Sequence, residues 1–151
     1  YGPVMRQVPF FTFLDDDVLK RLAHKVEMRL YTPGDFLMMH GEVGTELFIV
    51  YKGVVQAVDS EKNPTGVDGL MGPGSFFGET CVLCKGSRRA ISICCVEFCR
   101  ALVLCMCSFE EDPTLAYLVE DIRKYPGKFC KPPLHADSAA LDLGVCGTST
   151  G

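Results

Sequence analysis

The sequence has no apolar run long enough to cross a membrane, and it has no excess of basic residues over acidic ones. None of its apolar segments reaches the ~18 consecutive residues of a transmembrane helix, and the chain does not open with the basic and apolar segments of a secretory leader. The 151 residues carry a net charge of −4, whereas nucleic-acid binders present a basic face to the phosphate backbone. We therefore expect no membrane span within these residues and no nucleic-acid partner.

Residues that build enzyme active sites are also scarce. The three histidines lie far apart, at His24, His40 and His135, and they form no H-x-H pair. A metal-dependent oxygenase or isomerase on a β-barrel needs His and carboxylate ligands clustered on adjacent strands. The G-x-S-x-G motif of a nucleophilic serine is absent as well. We therefore expect neither catalysis nor a metal site.

Cysteine, by contrast, is abundant, with nine residues in the chain. The spacing Cys81-x-x-Cys84 would suit zinc, but structural zinc sites normally need two well-spaced pairs on turns. Cys94, Cys95, Cys105 and Cys107 lie in strand-like apolar runs, where thiols are common small core residues. We expect reduced thiols packed in the core and a reducing, cytosolic environment.

Periodicity predicts one domain of the α+β class that is mainly β. Three aspartates, Asp15 to Asp17, precede apolar residues at helical spacing and predict a helix over residues 16–25. Short strand-like runs separated by turn residues then follow, as in a sandwich or barrel. The runs cover residues 28–31, 36–40, 46–52, 54–58, 66–71, 89–96 and 100–107.

Signals near the chain ends set the expected boundaries. Asp112 before Pro113 predicts the start of a second helix, which should end near Lys124. Residues 1–14 should form an arm that packs its aromatic side chains on the domain. The tail contains Pro132-Pro133 and several glycines, which disfavour a long helix. We therefore expect an arm over 1–14, the domain over 15–125 and an irregular tail over 126–151.

Residues 72–92 combine a glycine-rich turn, one carboxylate and two adjacent arginines, in the sequence G-P-G-S-F-F-G-E-T-C-V-L-C-K-G-S-R-R-A-I-S. Peptide N–H groups in a tight glycine turn can form a nest for an anion. An arginine can neutralise that anion, and a carboxylate can accept hydrogen bonds from vicinal hydroxyls. A small molecule with one phosphate and a free ribose hydroxyl would satisfy every part of this arrangement.

The same stretch resembles the phosphate-binding cassette of cyclic-nucleotide-binding domains, above all those of cyclic-nucleotide-gated and hyperpolarisation-activated channels. The likeness extends from about Val8 to Tyr125. It implies an eight-stranded jelly-roll β-barrel that carries the cassette and is flanked by N-terminal and C-terminal helices. The matching residues are Phe77-Gly78-Glu79, Cys81, Leu83, Gly86, Arg88 and Ala90, together with Pro33-Gly34-Asp35 and the G-E-x-G-x-x-L-F run over residues 41–48.

The resemblance implies a role for each cassette residue. Arg88 matches the arginine that pairs with the exocyclic oxygens of the cyclic phosphate, and Glu79 matches the carboxylate that accepts from the ribose 2′-hydroxyl. The backbone N–H groups of Gly78, Thr80 and Cys81 should complete these contacts. The alternative is a surface ion pair between Arg88 and Glu79, which would contribute only ~0–1 kcal/mol.

Base recognition is less well marked. Arg89 stands where gated channels usually carry a threonine associated with guanine recognition, so the resemblance favours cyclic AMP over cyclic GMP. The Arg89 side chain either reinforces phosphate attraction or points to solvent. Met71 and Val54 are candidates for the apolar part of the pocket, with core packing as the alternative. The family's C-terminal lid helix is expected to be missing, because Pro132-Pro133 falls in its place.

The resemblance further implies a module on the cytoplasmic side of the plasma membrane, with cAMP or cGMP as ligand and no other cofactor. The chain would be a fragment whose membrane-spanning channel portion lies upstream, in a protein that assembles as a homo-tetramer. Two other interpretations that involve no catalysis stay open. One is a nucleotide-blind structural module, and the other is a kinase regulatory subunit, whose cassette is shorter and has a proline before the arginine.

Overall fold

The structure, a computed structural model, describes residues 2–8, 11–12, 14–59 and 69–124. The predicted tail over 126–151 lies outside these ranges. So does the polar segment over residues 60–65, for which Asn63-Pro64 predicts a hairpin tip. The described elements are α1 (Gly2–Met5), α2 (Asp16–His24), β1 (Glu27–Tyr31), β2 (Phe36–Met38), β3 (Glu46–Val58), β4 (Leu70–Met71), β5 (Phe76–Phe77), α3 (Thr80–Leu83), β6 (Ser92–Cys105), α4 (Met106–Glu111) and α5 (Pro113–Lys124).

Two long antiparallel strands, β3 and β6, form the centre of the sheet. They pair from Glu46 opposite Cys105 to Val58 opposite Ser92, with register shifts in the middle. The shifts coincide with Gly53, whose φ is 98° and where an added Cβ would overlap the Phe98 carbonyl. β1 and β2 pair with β6, while β4 and β5 pair with β3, all in the antiparallel sense. The predicted mainly β architecture with helices at both ends is confirmed.

The expected count of eight strands differs from the six strands of the described residues. The runs at 46–52 and 54–58 are one strand, because β3 keeps its pairing with β6 on both sides of Gly53. The runs at 89–96 and 100–107 likewise lie on the single strand β6. That strand ends at Cys105, where the unpredicted helix α4 begins. Met106 and Phe109 are both buried, and their spacing of three residues is helical.

The sheet separates two hydrophobic clusters. Because side chains alternate along a strand, Leu47 and Ile49 of β3 face the helices, whereas Phe48 and Val50 face the barrel interior. The helix-side cluster also holds Met5, Val8, Phe11, Leu22, Phe109 and Leu115. The barrel cluster also holds Val55, Ala57, Met71, Phe77, Ile93, Cys95, Ala101 and Val103. Both faces of β3 are therefore buried near its start.

The helices agree with their sequence signals. α2 and α5 lie within one residue of the predicted ranges, and α3 is one short turn over residues 80–83. Asp112 caps α5, since its Oδ1 accepts a hydrogen bond from the Thr114 N–H at 3.0 Å. Asp15, at the N-cap position of α2, makes no such side-chain bond. Within the described ranges, all helices are too short or too polar to cross a membrane.

Candidate anion-binding site

The candidate site forms where the chain turns from β5 into α3. The preceding turn is fixed to β3, because Gly74 N–H donates to the Val50 carbonyl and Val50 N–H donates to the Ser75 carbonyl, each at 2.8 Å. Gly78 has a φ of 86°, and an added Cβ would lie 2.7 Å from the Glu46 carbonyl oxygen. A residue without a side chain is therefore required where the cassette passes β3.

Arg89 is the side chain that fills this turn. It is only 5% exposed, and its Nη2 donates to the Glu46 carbonyl at 2.7 Å while its Nη1 donates to the Gly78 carbonyl at 3.2 Å. The guanidinium carbon lies 5.9 Å from the centroid of the Phe48 ring. Gly44 also adjoins it, since a Cβ there would lie 2.7 Å from the guanidinium. The alternative in which Arg89 points to solvent is therefore wrong.

The charge of Arg89 is not neutralised by a carboxylate within the described residues, whose ion pairs all involve other cations. Burying a cation costs several kcal/mol unless it is paired. Two carbonyl oxygens and an aromatic face satisfy part of its hydrogen-bonding and electrostatic demand but supply no negative charge. The interior of the cassette therefore carries a positive charge that favours an anion.

Arg88 lies on the outside of the cassette. It is exposed, and its Nη1 donates to the Gly41 carbonyl at 2.7 Å. Among the described residues, no ion pair joins it to Glu79. Arg88 points outward because the backbone is extended here, where it forms an antiparallel bridge between Arg88 and Val43. Successive side chains of an extended segment point to opposite sides, so only one of the two arginines can face inward.

The loop over residues 41–44 holds this part of the cassette in place. Gly41 N–H donates to the Arg89 carbonyl at 2.8 Å, and Arg89 N–H donates to the Glu42 carbonyl at 2.7 Å. Gly44 N–H donates to the Ser87 carbonyl at 2.9 Å. The G-E-x-G run is thus the partner of the arginine segment. This pairing joins segments more than 40 residues apart, so the sequence of the run does not reveal its role in the site.

The remaining predicted cassette residues lie at the start of α3. Glu79 is at the N-cap position of that helix and is half-buried, while Thr80 and Cys81 are buried. Burial raises the pKa of the Cys81 thiol to about 11, so this thiol is protonated near neutral pH. The Cys81 Sγ donates to the Gly78 carbonyl at 3.0 Å, and its N–H donates to the same carbonyl at 3.3 Å.

The two candidates for the apolar part of the pocket have different surroundings. Met71 is 5% exposed and belongs to the barrel cluster with Phe48 and Phe77. Its surroundings therefore match the alternative role, packing in the core. Val54 is half-buried on β3, opposite Glu97. The structure therefore brings Gly78, Thr80 and Arg89 to one turn and places Met71 in the core of the barrel.

Sequence reasoning missed three parts of this site. Glu46 and Phe48, which contact Arg89 through a backbone carbonyl and a ring, lie on the inward-facing start of β3. The Ser87 hydroxyl is buried and has no hydrogen-bond partner among the described residues. The phenylalanine was recognisable as part of the G-E-x-G-x-x-L-F run, but the contacts of Glu46 and Ser87 depend on tertiary pairing. Among the described residues, no cluster of three metal-ligating side chains occurs.

Residues 28–111 match the family model of the cyclic nucleotide-binding domain, which is more than half of the chain. The chain is 27% identical over 108 residues to potassium/sodium hyperpolarization-activated cyclic nucleotide-gated channel 4 of Homo sapiens. It is 30% identical over 105 residues to channel 1 of Oryctolagus cuniculus. These alignments cover 72% and 69% of this chain but 9% and 11% of the channels. The chain therefore spans about a tenth of the length of these relatives.

Two solved structures share the fold of this chain. The chain matches cAMP-bound PfPKA-R with a TM-score of 0.65 and 24% identity, over 85% of this chain and 43% of that one. It matches the regulatory domain of Toxoplasma gondii PKA, solved with cAMP, with a TM-score of 0.67 and 20% identity, over 85% and 49% of the two chains. These likenesses confirm the jelly-roll fold predicted from the sequence.

Proposed function

Because the chain belongs to the cyclic nucleotide-binding domain family, we propose that it binds a cyclic nucleotide in the cassette beside Arg89. The observation that carries this proposal is the buried guanidinium, which is 5% exposed and donates hydrogen bonds to the neutral carbonyl oxygens of Gly78 and Glu46. A cyclic phosphate brings one negative charge and several acceptor oxygens. Such an anion would offset the cost of burying the arginine.

Within this proposal, Arg89 and not Arg88 pairs with the phosphate. The resemblance alone favours Arg88, but Arg88 is exposed and bonded to the Gly41 carbonyl. Arg89 faces the turn that contains Gly78. Glu79, at the start of α3, keeps the role of accepting from the ribose 2′-hydroxyl. The backbone N–H groups of Gly78 and Thr80 are proposed to contact the phosphate and ribose.

Cyclic AMP is the proposed ligand in preference to cyclic GMP. In gated channels, a threonine next to the phosphate arginine is associated with guanine recognition. With Arg89 as the phosphate residue, the next residue is Ala90, which has no hydroxyl group. If Arg88 had that role, the next residue would be Arg89, which also lacks one. Either alignment therefore removes the guanine-specific hydrogen bond.

The biological role proposed for the module is regulation of an attached membrane channel or transporter. Its support is the likeness to hyperpolarization-activated cyclic nucleotide-gated channels. The module would lie on the cytoplasmic side of the plasma membrane, below a channel portion of the same polypeptide that assembles as a homo-tetramer. Ligand binding would shift the population of the module toward the conformation with the higher affinity.

One observation favours the alternative, a nucleotide-blind structural module. The Nη1 and Nη2 groups of Arg89 already donate to the Gly78 and Glu46 carbonyls. These bonds tie the cassette to β3, which is a structural function that requires no ligand. Arg89 would then stabilise the barrel in the same way in the presence and absence of nucleotide.

Isothermal titration calorimetry with cAMP and cGMP distinguishes these functions. The proteins are the wild-type chain, Arg89→Gln and the matched variant Arg88→Gln. Glutamine keeps a donor for the carbonyls but removes the charge. We expect saturable binding to the wild type, with cAMP bound more tightly. Loss of a buried charge partner costs about 2–5 kcal/mol, so Arg89→Gln should weaken binding roughly 30-fold or more.

Arg88→Gln should change the affinity by no more than a few-fold, because an exposed charge contributes little. If Arg88→Gln bound nucleotide much more weakly while Arg89→Gln kept the wild-type affinity, Arg88 would be the residue that pairs with the phosphate. If folded wild-type protein released no heat with either nucleotide, the nucleotide-blind alternative would replace the proposal. Circular dichroism of each variant establishes that the folded state is being compared.

A further inference from the structure

Two cysteines at the junction of β6 and α4 hold their sulfur atoms together. Cys105 is the last residue of β6, and Cys107 is the second residue of α4. The Cys107 Sγ donates a hydrogen bond to the Cys105 Sγ at 2.7 Å. Cys107 is exposed, so the prediction that this thiol packs in the core is wrong, whereas Cys105 is half-buried. An exposed thiol next to a second thiol is the arrangement needed for thiol–disulfide exchange.

The residue between them fixes this geometry. Met106 is 8% exposed and packs in the helix-side cluster. Its N–H donates to the Thr45 carbonyl at 2.8 Å. With the middle residue anchored by its side chain and its backbone, the two thiols that flank it are held next to each other. Because the fold already holds the two sulfur atoms close together, the chain loses little further entropy when they react. Their effective concentration is therefore high.

We propose that Cys105 and Cys107 form a dithiol site that is oxidised reversibly to an intramolecular disulfide by low-molecular-weight disulfides such as oxidised glutathione. The proposal is independent of nucleotide binding. It involves none of the residues proposed to contact the nucleotide, although Cys105 lies opposite Glu46 in the ladder between β3 and β6.

The reaction has two balanced steps. The exposed Cys107 loses its proton to solvent, and its thiolate attacks one sulfur of the small disulfide, whose S–S bond breaks and releases one small thiolate. Cys105 then loses its proton to solvent, and its thiolate attacks the Cys107 sulfur and expels the second small thiolate. Two protein thiols are oxidised, and one small disulfide is reduced to two thiols. Burial raises the pKa of Cys105, which is consistent with Cys107 reacting first.

The new bond would restrain the first turn of α4 against the end of β6. α4 contacts α5, and α5 contacts α3 of the cassette. Glu110 of α4 also forms an ion pair with Lys85, in the loop that follows α3, at 3.1 Å. The dithiol site therefore adjoins the helices that pack around the cassette.

Peptide mass spectrometry tests the site directly. Trypsin cleaves after Arg100 and Arg123, and the peptide between them contains Cys105 and Cys107 but no other cysteine. The folded wild-type chain is equilibrated in glutathione buffers of increasing oxidised fraction, quenched with acid, alkylated and digested without reduction. We expect this peptide to change from a doubly alkylated form to an unalkylated form that lacks two hydrogen atoms. Dithiothreitol should restore the doubly alkylated form.

Three variants give the controls. Cys105→Ser should trap Cys107 as a mixed disulfide that carries one glutathione, and Cys107→Ser should abolish the oxidised peptide. Cys94→Ser, which removes a half-buried thiol elsewhere on β6, should leave the wild-type result unchanged. The same titration in denaturant shows how strongly the folded structure favours the disulfide by holding the two thiols together. We expect the folded chain to favour the disulfide at least about tenfold over the denatured chain.

Several results would overturn the proposal. One is a peptide that stays doubly alkylated across the whole redox range while the protein is folded. Another is one glutathione on each thiol, or a disulfide from this peptide to a different cysteine peptide. An equal tendency to form the disulfide in the folded and denatured chains would show that the structure does not prepare the pair.

Discussion

At the residue scale, the adjacent arginines of the cassette have opposite environments. Arg88 donates to Gly41 from the surface, while Arg89 is buried against Phe48 with two carbonyl partners. A guanidinium is costly to bury, and Gly44 and Gly78 provide the space by lacking side chains. The Cβ atoms built at these glycines would lie 2.7 Å and 2.9 Å from Arg89. Those two glycines are therefore part of the site.

We predict that Gly78→Ala destabilises the fold more than Gly86→Ala. Both residues have a positive φ, 86° and 83°, so each alanine pays a similar cost of about 1–2 kcal/mol for the left-handed conformation. Only Gly78 faces a close neighbour, the Glu46 carbonyl, whereas nothing lies within 4 Å of a Cβ at Gly86. The added overpacking should cost roughly 1–3 kcal/mol more. Urea denaturation measures the free energy of unfolding of both variants. An equal loss of stability in the two would contradict the close approach of Gly78 to the Glu46 carbonyl.

At the element scale, the C-terminal helix α5 is fixed by one carboxylate. Asp112 accepts from the Thr114 N–H through Oδ1, and its Oδ2 accepts from the Arg21 Nε at 3.2 Å, which joins α5 to α2. Partial desolvation alone would raise the pKa of Asp112, but the Thr114 N–H and the Arg21 charge outweigh it and lower the pKa below its ordinary value. The folded state therefore favours the ionised carboxylate.

The lowered pKa of Asp112 predicts an acid-dependent contribution to stability. Because the folded pKa lies below the unfolded pKa, this contribution is present above the unfolded value and is lost as pH falls through the folded value. In Asp112→Asn, the side-chain oxygen can still accept from the Thr114 N–H, but the group no longer titrates. The thermal midpoint of this variant should therefore decline less than that of the wild type in the acidic range where Asp112 becomes protonated. Asp112→Ala should also lower the midpoint at neutral pH.

Glu120→Gln, an exposed change on the same helix, provides the control for the Asp112 variants. Its thermal midpoint should fall with acid as the wild-type midpoint does. Differential scanning calorimetry between neutral pH and the acidic range records all four proteins. An acid decline in Asp112→Asn that equals the wild-type decline would show that this carboxylate contributes nothing to the pH dependence.

At the scale of the whole molecule, the N-terminal segment is part of the helix-side cluster, which packs against one face of β3 and β6. Met5, Val8 and Phe11 are fully buried in the same cluster as Leu22 and Phe109. The Phe11 and Phe109 rings stack with their centroids 6.3 Å apart. The segment expected to be an arm thus packs its described aromatic residue against a helix that follows the last strand. Unfolding should be a single cooperative event.

We predict that Phe11→Ala lowers the free energy of unfolding by about 3–5 kcal/mol, as is typical of a buried aromatic residue. Urea denaturation followed by circular dichroism should still show one transition with an unchanged m-value. Phe98→Ala is the matched control, because that ring is 52% exposed, and it should change stability by less than about 0.5 kcal/mol. A second transition in Phe11→Ala would show that the N-terminal segment folds separately.

Local sequence signals determined α2, α5 and the identity of the cassette. Helical spacing with a cap before it specifies a helix through contacts between residues three or four apart. The glycine-rich turn, the carboxylate and the arginine pair lie within one short stretch, so their order alone was informative. These features depend on neighbours along the chain, and the sequence therefore predicted them without knowledge of the fold.

Only the tertiary structure decided which arginine faces inward. That choice depends on the pairing of Ser87 and Arg89 with the distant loop over residues 41–44, and a shift by one residue would exchange the two side chains. The same non-local pairing joins the predicted strands on either side of Gly53 into β3. It also ends β6 at Cys105, where packing of Met106 brings the two thiols together. Register between distant segments sets these features, and local sequence does not encode it.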